Sequence, residues 1–377
     1  MGLRVVLFEA AHEPAVRAFN ARLRAADALL FPLPEIAPLP NPATPTPGIE
    51  FRHFVALDDS CEVRGGYFIR NQPFWIRSEL HTAGHYNAPL SEGIIDKRFT
   101  AVGAMMLAHA LDQQPLLFAM GMGGKDRPLP RMLAAMGWKI LETPFHFLVL
   151  NGRRFLRNIG PLRSSAPRRL IADAIGLSGL GGLALRAAQT MRAQSRWDRR
   201  YQAQPVHEFA QWADRIWQEN ARQYSLSAAR TADYLHYIYP ATESAYYGIQ
   251  LTEGGAPAGW VEMLECRPRD HAYFGQMRAA ALVDGVAPKA AIPSLVHCAV
   301  QAARERCADI VISNQMHQDW NSALKAAGFW QGPSNYLLAL SKGLCKLLEP
   351  LDEAVPRIHF NRGDGDGRVN LLYTEPS

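Results

Sequence analysis

Apolar positions in the first 150 residues switch between two periods. Residues 4–8 have the density of a short strand. Residues 14–26 carry Val16, Phe19 and Leu23 at helical spacing behind a proline suited to a first turn. Residues 31–48 are proline-rich and aperiodic, which reads as a loop. Residues 52–57 and 62–70 read as strands joined by a turn at 58–60, and 74–80 as a further strand. The spacing then predicts a helix over 102–111, a buried strand over 116–120, a helix over 129–136 and a strand over 145–150. From residue 209 a similar order returns. It begins with helices over 209–224 and 231–239 and strands over 245–251, 258–266 and 272–282. A long helix over 292–306, a strand over 310–313, a helix over 320–327 and a strand over 336–341 complete it.

The two halves end alike. PLLFAMG (115–121) is followed by LPRMLAAMGW (129–138); DIVISN (309–314) is followed by NSALKAAGFW (321–330) and YLLALS (336–341). Strand, helix, Gly-aromatic, strand in both places implies two copies of one fold. The expected organisation is a first copy over 1–150, a linker over 151–204 with a helix near 183–196, a second copy over 205–342, and a polar tail over 343–377.

Composition narrows the class. The chain has 377 residues, 48% hydrophobic and 20% charged, which is globular and large enough for two cores. No run of 18 apolar residues predicts a membrane-spanning helix. Glu9 interrupts the short apolar start, so no signal peptide is expected. Five cysteines without a CxxC pair point to reduced thiols and a cytoplasmic setting. The net charge of +5 is uneven: residues 151–200 hold eleven Arg, no Lys and two Asp, a local +9 that leaves −4 elsewhere. Such a segment suits a membrane surface, an acidic carrier protein or RNA, or is a solvated connector.

The ending L-x-x-x-G-[FW] after a buried strand, at Leu133–Trp138 and Leu324–Phe329, resembles the GNAT superfamily of acyltransferases. So does Arg98-Phe99-Thr100-Ala101-Val102-Gly103-Ala104, which matches that family's R-x-x-G-x-G/A loop except that Ala101 replaces the first glycine. The resemblance implies an α+β fold of two GNAT-like domains, each a mixed, largely antiparallel twisted sheet flanked by helices. It implies acyl-CoA as co-substrate, its diphosphate held at 98–104 by amides of a helix N-terminus and by Arg98. The second copy's equivalent, VAPKAAIP (286–293), lacks the glycines and contains two prolines, which supply no N–H donor. Fem-type aminoacyltransferases, which use aminoacyl-tRNA, also look like paired GNAT folds.

Acyl transfer to an amine needs a base, donors for the oxyanion and an acid for the thiolate. The tyrosine acid that many GNAT enzymes carry on the last helix is replaced by Leu133 and Leu324. Glu79 and His81, at the end of a strand, and Glu92, before the donor loop, are candidate bases in the first copy. In the second copy Glu262, Tyr273, Gln276, Arg278, Asn314 and Gln315 are candidates for binding a polar acceptor, and His317 for catalysis. Each is open to a plainer role at a strand edge or helix cap. Gly121–Asp126 fails the P-loop pattern, His81 and His85 lack a helix to make a zinc pair, and 363–367 lacks the closing Glu of a calcium loop, so no metal is expected. The leading expectation is an N-acyltransferase moving an acyl group from acyl-CoA to an amine of a small polar molecule or sugar. A carrier protein or tRNA is an alternative partner, DNA is not expected, and a non-catalytic scaffold is the third reading.

Overall fold

The computed structural model describes residues 2–28, 31–38, 48–160, 180–194, 197–240, 242–267 and 274–365. It has two compact units, Met1–Leu141 with Leu337–Glu349, and Glu142–Tyr336 with Pro350–Ser377. The strands are β1 (Leu3–Leu7), β2 (Glu50–Asp58), β3 (Val63–Ile76), β4 (Glu79–Ser91), β5 (Leu117–Gly121), β6 (Lys139–Glu142), β7 (Phe145–Val149), β8 (Tyr201–Val206), β9 (Leu226–Ala228), β10 (Tyr246–Glu253), β11 (Ala256–Cys266), β12 (Ala279–Val286), β13 (Ile310–Asn314), β14 (Trp330–Gly332), β15 (Leu337–Leu340) and β16 (Ile358–His359).

The first unit's sheet runs β1-β2-β3-β4-β5-β15-β6. Its first four strands are antiparallel neighbours, β4 and β5 are parallel, and β15 is antiparallel to β5. The helix Val102–Gln113 buries Val102, Met106, Leu107 and Ala110, one stripe, against Tyr67, Ile69, Tyr86 and Leu117. The helix Glu13–Ala25 lays Val16, Phe19 and Leu23 on Val55, Leu57 and Val63.

The second unit's sheet runs β8-β10-β11-β12-β13-β7-β14. β12 and β13 are its parallel pair. The helix Ile292–Glu305 buries Ile292, Leu295, Val296 and Ala299 in the core with Val261, Leu282 and Val311, and Trp320 and Leu324 of the helix Gln318–Ala326 join them.

The units do not coincide with the halves of the sequence. β7, the strand expected to close the first copy, lies between β13 and β14, and β15, expected to close the second, lies between β5 and β6. The exchanged strands are interchangeable by pattern, since a strand paired on both edges needs only a short apolar run. The segment 343–365 is not a loose tail: Leu344, Leu348, Ala354, Ile358 and Phe360 are buried. The linker holds helices Gly152–Asn158 and Leu180–Arg192 and supplies β8 as an edge strand. Among the described residues no helix is long and apolar enough to cross a membrane.

Two readings of strand bounds change. β3 continues through Pro73 to Ile76, turns at Arg77 and Ser78, and returns as β4 over thirteen residues. The strand expected over 272–282 begins at Ala279 and reaches Val286.

Candidate functional site

In the first unit β4 and β5 pair at two positions only, Gly84 with Leu117 and His85 with Phe118. Just beyond, the β3–β4 register shifts between the pairs Phe68–Asn87 and Gly66–Leu90, and Ala88 takes φ 45°. A bulge bends its strand. Past His85 the β4 edge therefore leaves β5, and a wedge opens with strand backbone along one side. The chain then passes through two short 3-10 turns and enters the helix Val102–Gln113. That helix starts with no side-chain cap, and its first backbone bond from this turn is Met105 N–H to Ala101 O at 3.0 Å. Ala101 and Ala104 are exposed and Gly103 half-buried, so small residues surround these amides.

The expected donor residues share this turn but differ in what they do. Asp96 accepts from the Arg98 N–H (2.9 Å) and holds its guanidinium through Nη2 at 2.6 Å. That hydrogen bond, with the charge of Asp96 behind it, holds the guanidinium pKa above its usual value. Phe99 is buried under Arg64 and Arg98. The Thr100 hydroxyl donates to Lys97 O (2.7 Å).

The three candidate bases of this unit stand apart from the wedge or are engaged. Glu79 and His81, 3.4 Å from each other, begin β4 instead of ending a strand. Glu79 lies six residues before His85, where the β4–β5 pairing ends, roughly 20 Å along the strand, and His81 four residues before it, roughly 13 Å. Glu92 is buried and accepts from Arg22 (2.8 Å) and Arg64 (3.0 Å), an ion-paired brace beneath the loop. Leu133 and Leu324 are both fully buried core residues.

In the second unit the structure gathers Glu262, Asn314, Gln315 and His317 around residues that sequence reasoning missed. β12 and β13 pair from Ala279–Ile310 to Leu282–Ser313 and then part, and β12 is bulged there, because Glu262 faces Asp284 while Met263 faces Leu282. Asp284 accepts from Arg230 (3.2 Å), the Tyr239 hydroxyl (3.1 Å) and Asn361 Nδ2 (2.7 Å). Arg230 also bonds Asp364 at 2.8 Å, and all of Arg230, Asp284, Asn361 and Asp364 have no solvent exposure. Burial opposes the charge on Arg230, but Asp284 and Asp364 outweigh it and hold its pKa well above the ordinary value. Burial, then the Asp284 charge, pushes the Glu262 carboxyl well up, which favours its neutral form.

His317 is the cap of its helix, its Nδ1 accepting the Asp319 N–H at 3.3 Å, and burial lowers its pKa to about 4. Asn314 accepts from Arg362 (2.9 Å). Gln276 and Arg278 precede β12: the Gln276 N–H bonds Asn158, and Arg278 bonds Asp309 and Glu265. Six residues of chain, roughly 20 Å, separate Arg278 from Asp284. Tyr273 lies outside the described residues. Among the described residues no group of three or more His, Cys, Asp or Glu is placed to hold a metal.

Two mixed sheets, each with a parallel strand pair that parts beside the N-terminus of a long helix, define a tandem GNAT-like α+β fold. Among solved structures, a conserved protein of unknown function from Enterococcus faecalis, described as a probable N-acyltransferase, superposes with a TM-score of 0.51 at 10% identity, over 91% of this chain and 74% of that one. A tandem GNAT protein from the clavulanic acid biosynthesis pathway gives 0.48 at 13% identity, over 90% of this chain and 99% of that one. A GCN5-related N-acetyltransferase from Anabaena variabilis gives 0.48 at 12%, over 78% of this chain; the match spans 63% of that protein, under two thirds of its length. At these identities the likeness is one of fold. No protein-family model and no curated protein matches the sequence.

Proposed function

We propose that this protein is an N-acyltransferase that takes its acyl group from an acyl-CoA held in the first unit. The observation that carries the reading is the wedge: a parallel strand pair that ends after two residue pairs, beside a helix whose first amides no side chain caps. The diphosphate meets the N–H groups of Ala101–Ala104, where the helix end is partially positive. The pantetheine arm lies along the β4 backbone past His85, and amides of that edge polarise the thioester carbonyl. The acceptor nitrogen attacks the carbonyl carbon, the carbon–sulfur bond breaks, and the departing thiolate takes up the proton that the nitrogen loses. The products are an amide and CoA. The acceptor is a small polar amine or amino sugar. Glu79, His81 and Glu92 are not assigned as base, because the first two begin the strand and the third is ion-paired twice.

Calorimetric titration of the full chain with acetyl-CoA and longer acyl-CoAs tests this. Saturating donor is expected to raise the melting temperature, by the equivalent of about 2.7 kcal/mol at a hundredfold excess over Kd. Ala104→Glu puts an anion in the first turn, where it suits the helix but repels a diphosphate. That variant is expected to keep its unliganded melting temperature and to bind donor at least tenfold more weakly. No response to any CoA ester overturns the reading, and salt-sensitive tRNA binding in its place redirects it to aminoacyl-tRNA.

A further inference from the structure

We infer that the second unit's donor-type wedge is filled by the chain's own segment 358–365, so that the protein holds one acyl donor per chain; this rests on the reading of the first unit above. The two units repeat the same geometry, a parallel pair that parts next to a bulge and a helix N-terminus. In the second, both parting strand ends find their partners within this segment. On the β13 side, Gln315 forms an antiparallel bridge with Asn361, the Met316 N–H donates to Phe360 O (3.0 Å), and Arg362 Nε donates to the side-chain oxygen Oδ1 of Asn314 (2.9 Å). On the β12 side, Asn361 Nδ2 donates to Asp284 (2.7 Å).

The segment is also matched in charge and shape. Asp364 supplies the second carboxylate around Arg230, whose cation would otherwise face Asp284 alone. The Gly363 N–H donates to Asn361 Oδ1 (3.0 Å), and a Cβ on Gly363 would run into the Tyr239 hydroxyl. His359, Phe360, Asn361 and Asp364 have no exposure. A ligand arm entering here would have to break a backbone bridge and strip Asp364 from Arg230. Pro293 in the first turn of the adjacent helix removes one of the amides a diphosphate would use.

Native mass spectrometry and calorimetry of the full chain with acyl-CoA read the stoichiometry. One donor per chain is expected, weakened at least tenfold in Ala104→Glu and unchanged in Ala290→Glu, which alters the exposed turn before the second unit's helix. Two donors per chain, or loss of binding in Ala290→Glu, overturns the inference. If no donor binds at all, the first-unit reading fails, and hydrogen exchange then decides the plug by itself. Peptides across 358–365 are expected to exchange as slowly as β13, with or without acyl-CoA present. Exchange within seconds, or on adding acyl-CoA, refutes a filled wedge.

Discussion

His146 and His317 show how one buried side chain sets a property of the whole protein. Burial lowers both pKa values to about 4, with Lys325 adding to the effect at His146. An unfolded chain returns each to about 6.5. Between these values the unfolded state binds a proton that the folded state refuses. The stability each contributes is therefore complete above pH 6.5 and is lost as pH falls towards 4, about 3 kcal/mol apiece. His85 and His359, also buried and lowered, act in the same direction. Glu262 opposes them: the fold raises its pKa and favours the neutral carboxyl, so its contribution shrinks as pH rises above the ordinary value of 4.5. Asp364, raised by burial, acts with Glu262, while burial also lowers His53, His109 and His297, so seven lowered histidines stand against two raised carboxyls. Denaturant unfolding at a series of pH values is expected to show stability falling steeply from pH 7 to 4.5. His317→Gln, which keeps an acceptor near the Asp319 N–H, is expected to reduce that slope by about one proton. An unchanged slope would mean that His317 titrates normally in the fold.

The β3–β4 hairpin is the element that decides where the candidate bases go. Its turn places Arg77 at φ 45° and Ser78 at φ 76°, in the left-handed region that hairpins ordinarily give to Asn-Gly. Serine there is strained, and glycine is not. Ser78→Gly is expected to stabilise the protein by about 1 kcal/mol, read as a melting temperature raised by a few degrees. A lowered melting temperature would count against the turn. The same two residues explain a sequence misreading. Without a turn signal at 77–78, residues 79–81 read as the end of a strand, when they begin one. Elements with a strong period were legible: the helices at 13–25, 102–113 and 292–305, and the strands at 117–121 and 310–314. The turn at 98–104, expected to hold the donor, does lead from a strand through short 3-10 turns into a helix, where its small residues cluster. The cluster around Asp284 was not legible, because Arg230, Asp284, Asn361 and Asp364 meet across separations of up to 134 residues. The signal available was a lone Asp284-Gly285 inside the apolar run ALVDGV, together with the Gly-Asp repeat at 363–367.

At the scale of the whole molecule, the exchange of β7 and β15 governs how the chain can fold. Repeated sequence endings pointed to two copies but could not show that each copy lends its last strand to the other's sheet, since both strands are short apolar runs. β15 contributes Leu337, Leu338, Ala339 and Leu340, none more than 1% exposed, between β5 and β6. Burial of three leucines at roughly 1.5–3 kcal/mol each amounts to some 5–9 kcal/mol, comparable with the entire stability of an ordinary domain. A fragment of residues 1–150 lacks this strand and carries β7 with no sheet to join, leaving the β5 edge open. That fragment is expected to bind hydrophobic dye and to melt without a cooperative transition. Residues 1–141 joined through a flexible linker to 337–349 are expected to regain a cooperative melt, because the strand path β1-β2-β3-β4-β5-β15-β6 is then carried on one chain. A folded, cooperatively melting 1–150 fragment would show that the sheet needs no strand from the second half, and the exchange would lose its place in the folding of the protein.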